Sequence, residues 1–252
     1  MSRCPRPLAS ALLLLLGWLA PALAGGDSLP APLMPFEAQY RVTNGTLQVG
    51  TTTIRLRPDP QGWRYESVTE ADGVFALFAG GPINETSILQ PVDGGLRPLE
   101  YRHDEPDDKD DVRVTFDWAA GEYTARRRGR TRTRPLQPGT RDQFGVILAV
   151  IRAVAEGRET LSVPGIDDKG EPQPLRFEVT GREHRSVPLG DFDSVRVRRV
   201  REDKRSTVIW LAPKLDWLPI VIEQRKKGDL VARLELETLN GRTAENEVKK
   251  PR

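Results

Sequence analysis

Six carboxylates crowd the stretch HDEPDDKDD, residues 103–111: Asp104, Glu105, Asp107, Asp108, Asp110 and Asp111. Calcium takes about 6–8 oxygen ligands, so a calcium loop is one chemistry to test. The spacing departs from the calcium-loop pattern, and the glycine at its sharp turn is missing. An acidic hairpin loop is the better expectation. A little further on, ARRRGRTRTR places Arg126, Arg128, Arg130, Arg132 and Arg134 at even spacing. Around a turn at Gly129 they could share one face of a strand pair. Such a face suits lipid phosphates or lipopolysaccharide. It also suits the acidic loop, because the run from Val112 to Trp118 leads away from that loop and Tyr123 to Arg127 leads back. Mutual neutralisation of the two clusters is the simpler expectation.

Catalytic signals are sparse. His103 and His184 are the two histidines, and neither has a metal-ligating companion at a useful spacing. Both are expected at exposed strand ends, and general-base work would need a partner within hydrogen-bond reach. There is no Gly-x-Ser-x-Gly elbow and no phosphate-cradling glycine loop. No metal or cofactor is implied, and the chain is expected not to be an enzyme.

Apolar side chains give the remaining candidates. DGVFALFAGGPINE, residues 72–85, holds Val74, Phe75, Leu77 and Phe78 without strand alternation, closed by Gly80-Gly81-Pro82. A short helix or lid-like loop is expected there. WLAPKLDWLPIVIEQ, residues 210–224, reads as two strands joined by a turn, with Trp210, Trp217, Leu218, Ile220 and Ile222 expected to face a concave interior. That interior could be packed core, a lipid-accommodating cleft, or a surface for a protein partner. The candidate ligand-contacting set is therefore Val74, Phe75, Leu77 and Phe78 as a lid with Trp210, Trp217 and Ile220 on the concave face.

The elements that must position these residues are mostly strands. Phe36, Ala38, Tyr40 and Val42 alternate with polar neighbours, and Asn44-Gly45 then signals a hairpin into Leu47, Val49 and Thr51. The same period recurs at Trp63–Ser67, Val112–Trp118, Leu175–Val179, Val195–Val200 and Leu230–Leu236. Arg199 breaks phase before Val200 and suggests a β-bulge. One-sided strands of this kind make antiparallel sheets. One segment differs. TRDQFGVILAVIRAVAEG, residues 140–157, carries Phe144, Ile147, Leu148, Ile151 and Val154 at helical spacing, with Thr140 and Gln143 as a capping box and Gly157 as the C-terminal stop. Val146 and Val150 make it apolar nearly all round, so it should be buried. The expected fold is mainly β: a single strongly curved antiparallel sheet, a half-barrel or barrel-like body of about a dozen strands, wrapped around one buried helix.

Residues 1–24 read as a secretory signal peptide: a basic start, an apolar run from Leu8 to Ala20, and Ala22-Leu23-Ala24 before the cleavage point. Residues 25–240 form one β-rich domain, in which Pro164–Pro174 is a long loop, and 241–252 is a polar tail. Arg3 and Arg6 leave with the leader, which brings the 38 basic residues level with the 36 acidic ones. Charge therefore offers no argument for nucleic acid as a partner. Cys4 leaves too, so disulfides, thiol catalysis and cysteine-held metals are excluded from the mature chain. A periplasmic protein, not membrane-spanning after cleavage, is expected.

MPFEAQYRVTNGTLQVGTTTIRL, LRPLEYRHDE, FDWAAGEYT and SVPLGDFDSVRVRRVREDKRSTVIWLAPKLDWLPIVIEQ together resemble the bacterial exported proteins grouped as domain of unknown function 3108, over about residues 34–240. That family has no established activity and implies no catalytic residue. More distantly, WLAPKLDWLPIVIEQ is similar to the strand–turn–strand of periplasmic lipoprotein carriers of the LolA and LolB kind, which implies an open half-barrel holding acyl chains on its concave face. The function expected is non-enzymatic binding of a hydrophobic or lipidated envelope component, lipid or lipoprotein. The alternative is an envelope assembly or scaffold factor that binds another protein and takes no small ligand.

Overall fold

A computed structural model describes residues 34–93, 95–107, 110–200 and 205–244. The leader expected at 1–24 and the tail from 245 onward lie outside the described residues. Gly241 and Arg242 still belong to the fold, because Arg242 exchanges backbone hydrogen bonds with Leu239.

Fourteen strands are present among the described residues, joined in one antiparallel sheet. They are β1 (Phe36–Asn44), β2 (Leu47–Asp59), β3 (Gly62–Ala71), β4 (Ile83–Val92), β5 (Gly95–Asp104), β6 (Val112–Asp117), β7 (Glu122–Arg127) and β8 (Arg130–Pro135). After the helix come β9 (Thr160–Ile166), β10 (Pro172–Val187), β11 (Gly190–Val200), β12 (Arg205–Ala212), β13 (Leu218–Lys226) and β14 (Asp229–Leu239). The spatial order is β8-β7-β6-β5-β4-β3-β2-β1-β14-β13-β12-β11-β10-β9. Every neighbouring pair is consecutive in sequence except β1 and β14. The sheet is thus two meanders zipped together by the first and last strands. It does not close, since β8 and β9 are not hydrogen-bonded to each other.

Period two does what the sequence predicts. Ala38, Tyr40 and Val42 of β1 are buried, as are Val112, Val114 and Phe116 of β6, while their alternate neighbours are partly or fully exposed. These inner residues wrap around helix α2 (Gln143–Ala155). Phe144 stacks on Tyr65 at 4.4 Å and meets Tyr101 edge-on at 6.2 Å. Val146, Val150 and Val154 pack with Val195, Val197, Ile209 and Leu211 of the other meander. One helix therefore fills the space between both halves of the sheet. A helix apolar on one stripe could not do this. The helix starts later than the predicted capping box. Asp142 is the N-cap and accepts from Gly145 N at 2.7 Å, whereas Thr140 turns back to the Gln137 carbonyl and Gln143 donates to the Ile166 carbonyl. Asp at an N-cap serves as well as Thr, and the parallel bridge from Arg141 to Gly165 of β9 holds the preceding residue extended.

The bulge expected at Arg199 lies instead on the opposite strand. Arg199 and Val200 pair in regular register with Phe177 and Arg176, and the shift falls between Val179 and Gly181 of β10. Its effect is large. β11 pairs with β12 only over Val195–Arg198, although it begins at Gly190. The distal part of the β10–β11 hairpin leaves the sheet there. At its tip Leu189 N donates to Leu236 O of β14 at 3.0 Å. A strand pair three strands away from β14 can reach it only by folding over the sheet. This arm covers the outer face of β12 and β13.

Candidate functional site

The end of the sheet where β1 finishes at Asn44 is here the upper end. Antiparallel order puts the β3–β4, β5–β6 and β7–β8 connections there as well, and the β12–β13 turn at the lower end. The candidate residues therefore fall in two places. Val74, Phe75, Leu77 and Phe78 are at the upper end; Trp210, Trp217 and Ile220 belong to the hairpin at the lower end.

The lower group is packed. Ile209 and Leu211 join the helix cluster, so alternation turns Trp210 to the outer face. There it is 2% exposed beneath the arm. Its indole N–H donates to Glu183, and the Arg185 guanidinium lies 4.2 Å from its ring centroid, with Arg196 at 5.7 Å. Trp210 does not face the concave interior as the sequence predicts, because residues 208–212 are buried on both faces. Ile220 is 0% exposed. Trp217 is half-buried against the helix cluster and holds a left-handed backbone, φ 63°. An open cleft beside the C-terminal end of α2, lined by Val150, Val154, Phe177, Val179 and Val197, has a cavity volume of about 10 Å³, room for no more than a water molecule. Ligand sites usually run to about 300–1,000 Å³.

The upper group is open. Gly73–Phe75 forms a 3₁₀ turn that runs into α1 (Ala76–Ala79), and neither contains a buried residue. Leu77 is 80% exposed, Phe78 84% and Val74 58%, with Phe75 half-buried. Asp72, just ahead of the turn, is tied down: it accepts from Gln48 and Thr51, and its N–H donates to Val49 O. Behind the turn, Ile83 of β4 pairs with Thr69 of β3, so the sheet holds the far foot. The turn is anchored at both feet and bare at its crest.

Close by, the inner wall carries a charged group that sequence reasoning placed at an exposed strand end. Glu85 of β4 and His103 of β5 are directly paired. His103 Nδ1 lies 3.3 Å from Glu85 Oε1, an ion-pair distance without hydrogen-bond alignment, and Nε2 lies 3.2 Å from Glu105 Oε1. Tyr101 Oη donates to the same Glu85 oxygen at 2.6 Å. The Glu85 carboxylate, with help from Glu105 and against partial burial, pushes the His103 pKa up to about 9. The imidazole is then a cation at neutral pH and offers no lone pair to a proton; a general base needs a pKa near the working pH. The signal was present in the sequence: His103 shares the parity of Tyr101, which is buried. His184 is exposed, 3.1 Å from Asp193.

A second buried polar pair sits deeper. Ser87 Oγ donates to Asp142, which also caps α2. Burial raises the Asp142 pKa to about 6, opposed by the Ser87 and backbone hydrogen bonds. Both groups are satisfied by each other and by the helix, which is a structural arrangement.

At the rim, the acidic loop and the arginine turn meet. Asp110 accepts from Arg127 and from Arg128, the latter at 2.7 and 2.8 Å. Asp111 is occupied by the Glu105 backbone N–H at 2.8 Å. Neutralisation is incomplete: Arg132 and Arg134 turn to Glu171 of the β9–β10 loop instead.

The profile of the family described as "Protein of unknown function (DUF3108)" matches residues 39–235. The chain belongs to the DUF3108 family. A search among curated proteins finds no match. Among solved structures, this DUF3108 chain is similar to a β-barrel-like protein of domain of unknown function DUF1849 from Brucella abortus. The TM-score is 0.52 at 12% identity, over 83% of this chain and 98% of that one, a likeness of fold. A protein of Parabacteroides distasonis provisionally described as a lipoprotein aligns at TM-score 0.34 and 13% identity, over 82% and 95% of the two chains. One of Bacteroides fragilis, provisionally described as exported and of YmcC-like fold, aligns at 0.32 and 11%, over 81% and 93%.

Proposed function

We propose that this DUF3108 chain is an exported, non-enzymatic protein of the bacterial periplasm that binds a hydrophobic or lipidated envelope component at the turn 73–79. The observation that carries the reading is the exposure of Leu77 and Phe78 on a turn fixed at both ends. Exposed apolar patches mark interaction sites in soluble proteins. The leader-like residues 1–24 support export. The packed hairpin at 210–222 supports a surface contact with the hydrophobic component and argues against an acyl chain held deep inside. His103, already protonated, supports a binding role over proton-transfer chemistry.

The test is saturable binding of a fluorescent fatty acid to the mature protein. Micromolar affinity is expected, a free energy of about −8 kcal/mol. The double variant Leu77→Ser, Phe78→Ser should abolish it without moving the melting temperature. An absence of binding by the parent, or equal binding by the variant, would refute the proposal. Export has its own check: N-terminal sequencing of periplasmic material should begin near Gly25.

A further inference from the structure

Strand β8 ends the sheet on one side, and every residue of it except Arg134 is exposed. Its backbone is incompletely used, and the geometry of the preceding turn says which groups are left over. Arg128 (φ 51°) and Gly129 (φ 69°) both lie in the left-handed region. They make a two-residue loop of the kind that joins tightly twisted hairpins. Such a loop closes on a pair whose N–H and C=O groups face each other, here Arg127 and Arg130. The pattern alternates from there. Arg132 and Arg134 point their backbone groups at β7, while Thr131 and Thr133 point theirs away from it. Among the described residues nothing meets those outward groups.

The side chains add a sign. Arg132 and Arg134 are opposite Ala125 and Tyr123, so the row Arg130, Arg132 and Arg134 follows the concave face and the threonines follow the convex one. Glu171 pairs with Arg132 and Arg134, at 2.9 and 2.5 Å. Among the described residues, Arg126 and Arg130 have no carboxylate partner. A second copy of this chain, added edge to edge, would set arginine against arginine, which like-charge repulsion opposes. An acidic segment has the opposite sign and meets, among the described residues, one unpaired guanidinium on each face of this edge, Arg130 on the concave side and Arg126 on the convex side.

We propose that β8 is a docking edge for an extended acidic segment of a partner protein, which joins the sheet as a further strand. Backbone hydrogen bonds to Thr131 and Thr133 supply the attachment, and carboxylates at alternate positions of the segment reach Arg130 and its neighbours. This is strand addition to an exposed edge, with charge selecting the sequence. The site is separate from the turn at 73–79 and does not depend on lipid binding there.

The experiment uses the mature protein and a fluorescein-labelled decapeptide of alternating Glu and Thr, with an alternating Lys and Thr peptide as control. Fluorescence anisotropy should show saturable binding of the acidic peptide alone, weakening as salt rises. Thr133→Pro removes an outward donor and the exposed Thr133–Thr124 hydroxyl contact, but no backbone bond of the β7–β8 ladder, as an edge position allows. It should weaken binding by about tenfold or more while the melting temperature holds. Thr131→Pro gives an independent copy of that test. Arg130→Glu should weaken binding as well. No binding by the parent overturns the proposal. Equal binding by both proline variants also overturns it, because adsorption to charge alone would survive them. Binding of anionic phosphatidylglycerol vesicles that is lost in Arg130→Glu and indifferent to both proline variants, with no peptide binding, would overturn it in favour of a lipid surface.

Discussion

The turn at 73–79 and the hairpin at 205–226 are built from similar apolar residues and end in opposite surroundings. Trp210 and Ile220 are sealed, one under the β10–β11 arm and the other in the core. Leu77 and Phe78 stand almost wholly in solvent. Composition does not separate them. What separates them is whether a second layer is available: helix α2 lies on one side of β12 and the arm on the other, and nothing among the described residues lies over α1. Burial is a property of the pair of surfaces, and a sequence displays only one of the two.

The contrast can be broken most forcefully at Trp210. Trp210→Ala should destabilise the protein by about 3–5 kcal/mol in urea titrations, since it empties a site closed on both sides. A loss under about 1 kcal/mol would mean that the arm is not docked. Buried acids sharpen the same point. Asp142 has no exposed surface, and burial holds its pKa near 6, above the ordinary value of 3.8. A group raised by folding favours its protonated form in the native state. Stability from Asp142 is therefore full below about pH 4 and is lost as pH rises through 6, by about 3 kcal/mol for a shift of this size. Asp142→Asn should flatten that slope in urea midpoints measured from pH 4 to 7. It keeps the cap, because the Ser87 hydroxyl can accept as well as donate.

Glu223 on the covered hairpin should behave with the opposite sign. Burial pulls its pKa up, and the guanidiniums of Arg233 and Arg225 more than offset that pull, so the net direction is down. Its contribution is present above its unfolded pKa of about 4.3 and is lost as pH falls through the depressed value. Glu223→Gln should cost about 1–3 kcal/mol at neutral pH by leaving two arginines short of a charge. It should cost progressively less in acid, which a pH series of melting curves reads directly. The smallest effect belongs to the exposed turn: Leu77→Ser alone should change stability by no more than about 0.5 kcal/mol.

Much of the sheet was legible because its signal is local. The inward parity of Ala38, Tyr40 and Val42, or of Val112, Val114 and Phe116, is written in adjacent residues. Helix α2 was legible for the same reason, since Phe144, Val146, Leu148, Val150 and Val154 recur at helical spacing and are buried. Its cap was misread by two residues because Thr140 and Asp142 are both good caps, and the choice was made by a bridge to Gly165, far along the chain. The arm was not legible at all. It depends on a bulge at Thr180 and on a hydrogen bond between Leu189 and Leu236. As a result, Trp210 was assigned to the wrong face although its strand was recognised. The ion group at Glu85, His103 and Glu105 lies between these cases: parity pointed inward, but only the register of β4 and β5 brings the carboxylate to the ring.

The pairing of β1 with β14 has a bearing on how this protein is held in place. Ala38 is opposite Leu239, so the chain enters and leaves the domain side by side, at the base. The crest formed by Leu77 and Phe78 is at the other end, and β1 alone, at nine residues, rises about 30 Å between the two levels. Any leash attached ahead of β1 or behind β14 thus works like a stalk, with the apolar crest directed outward from the point of attachment. Exchanging one end for the other would leave that orientation unchanged, and a short linker joining the two ends should permit new termini to be opened elsewhere on the surface.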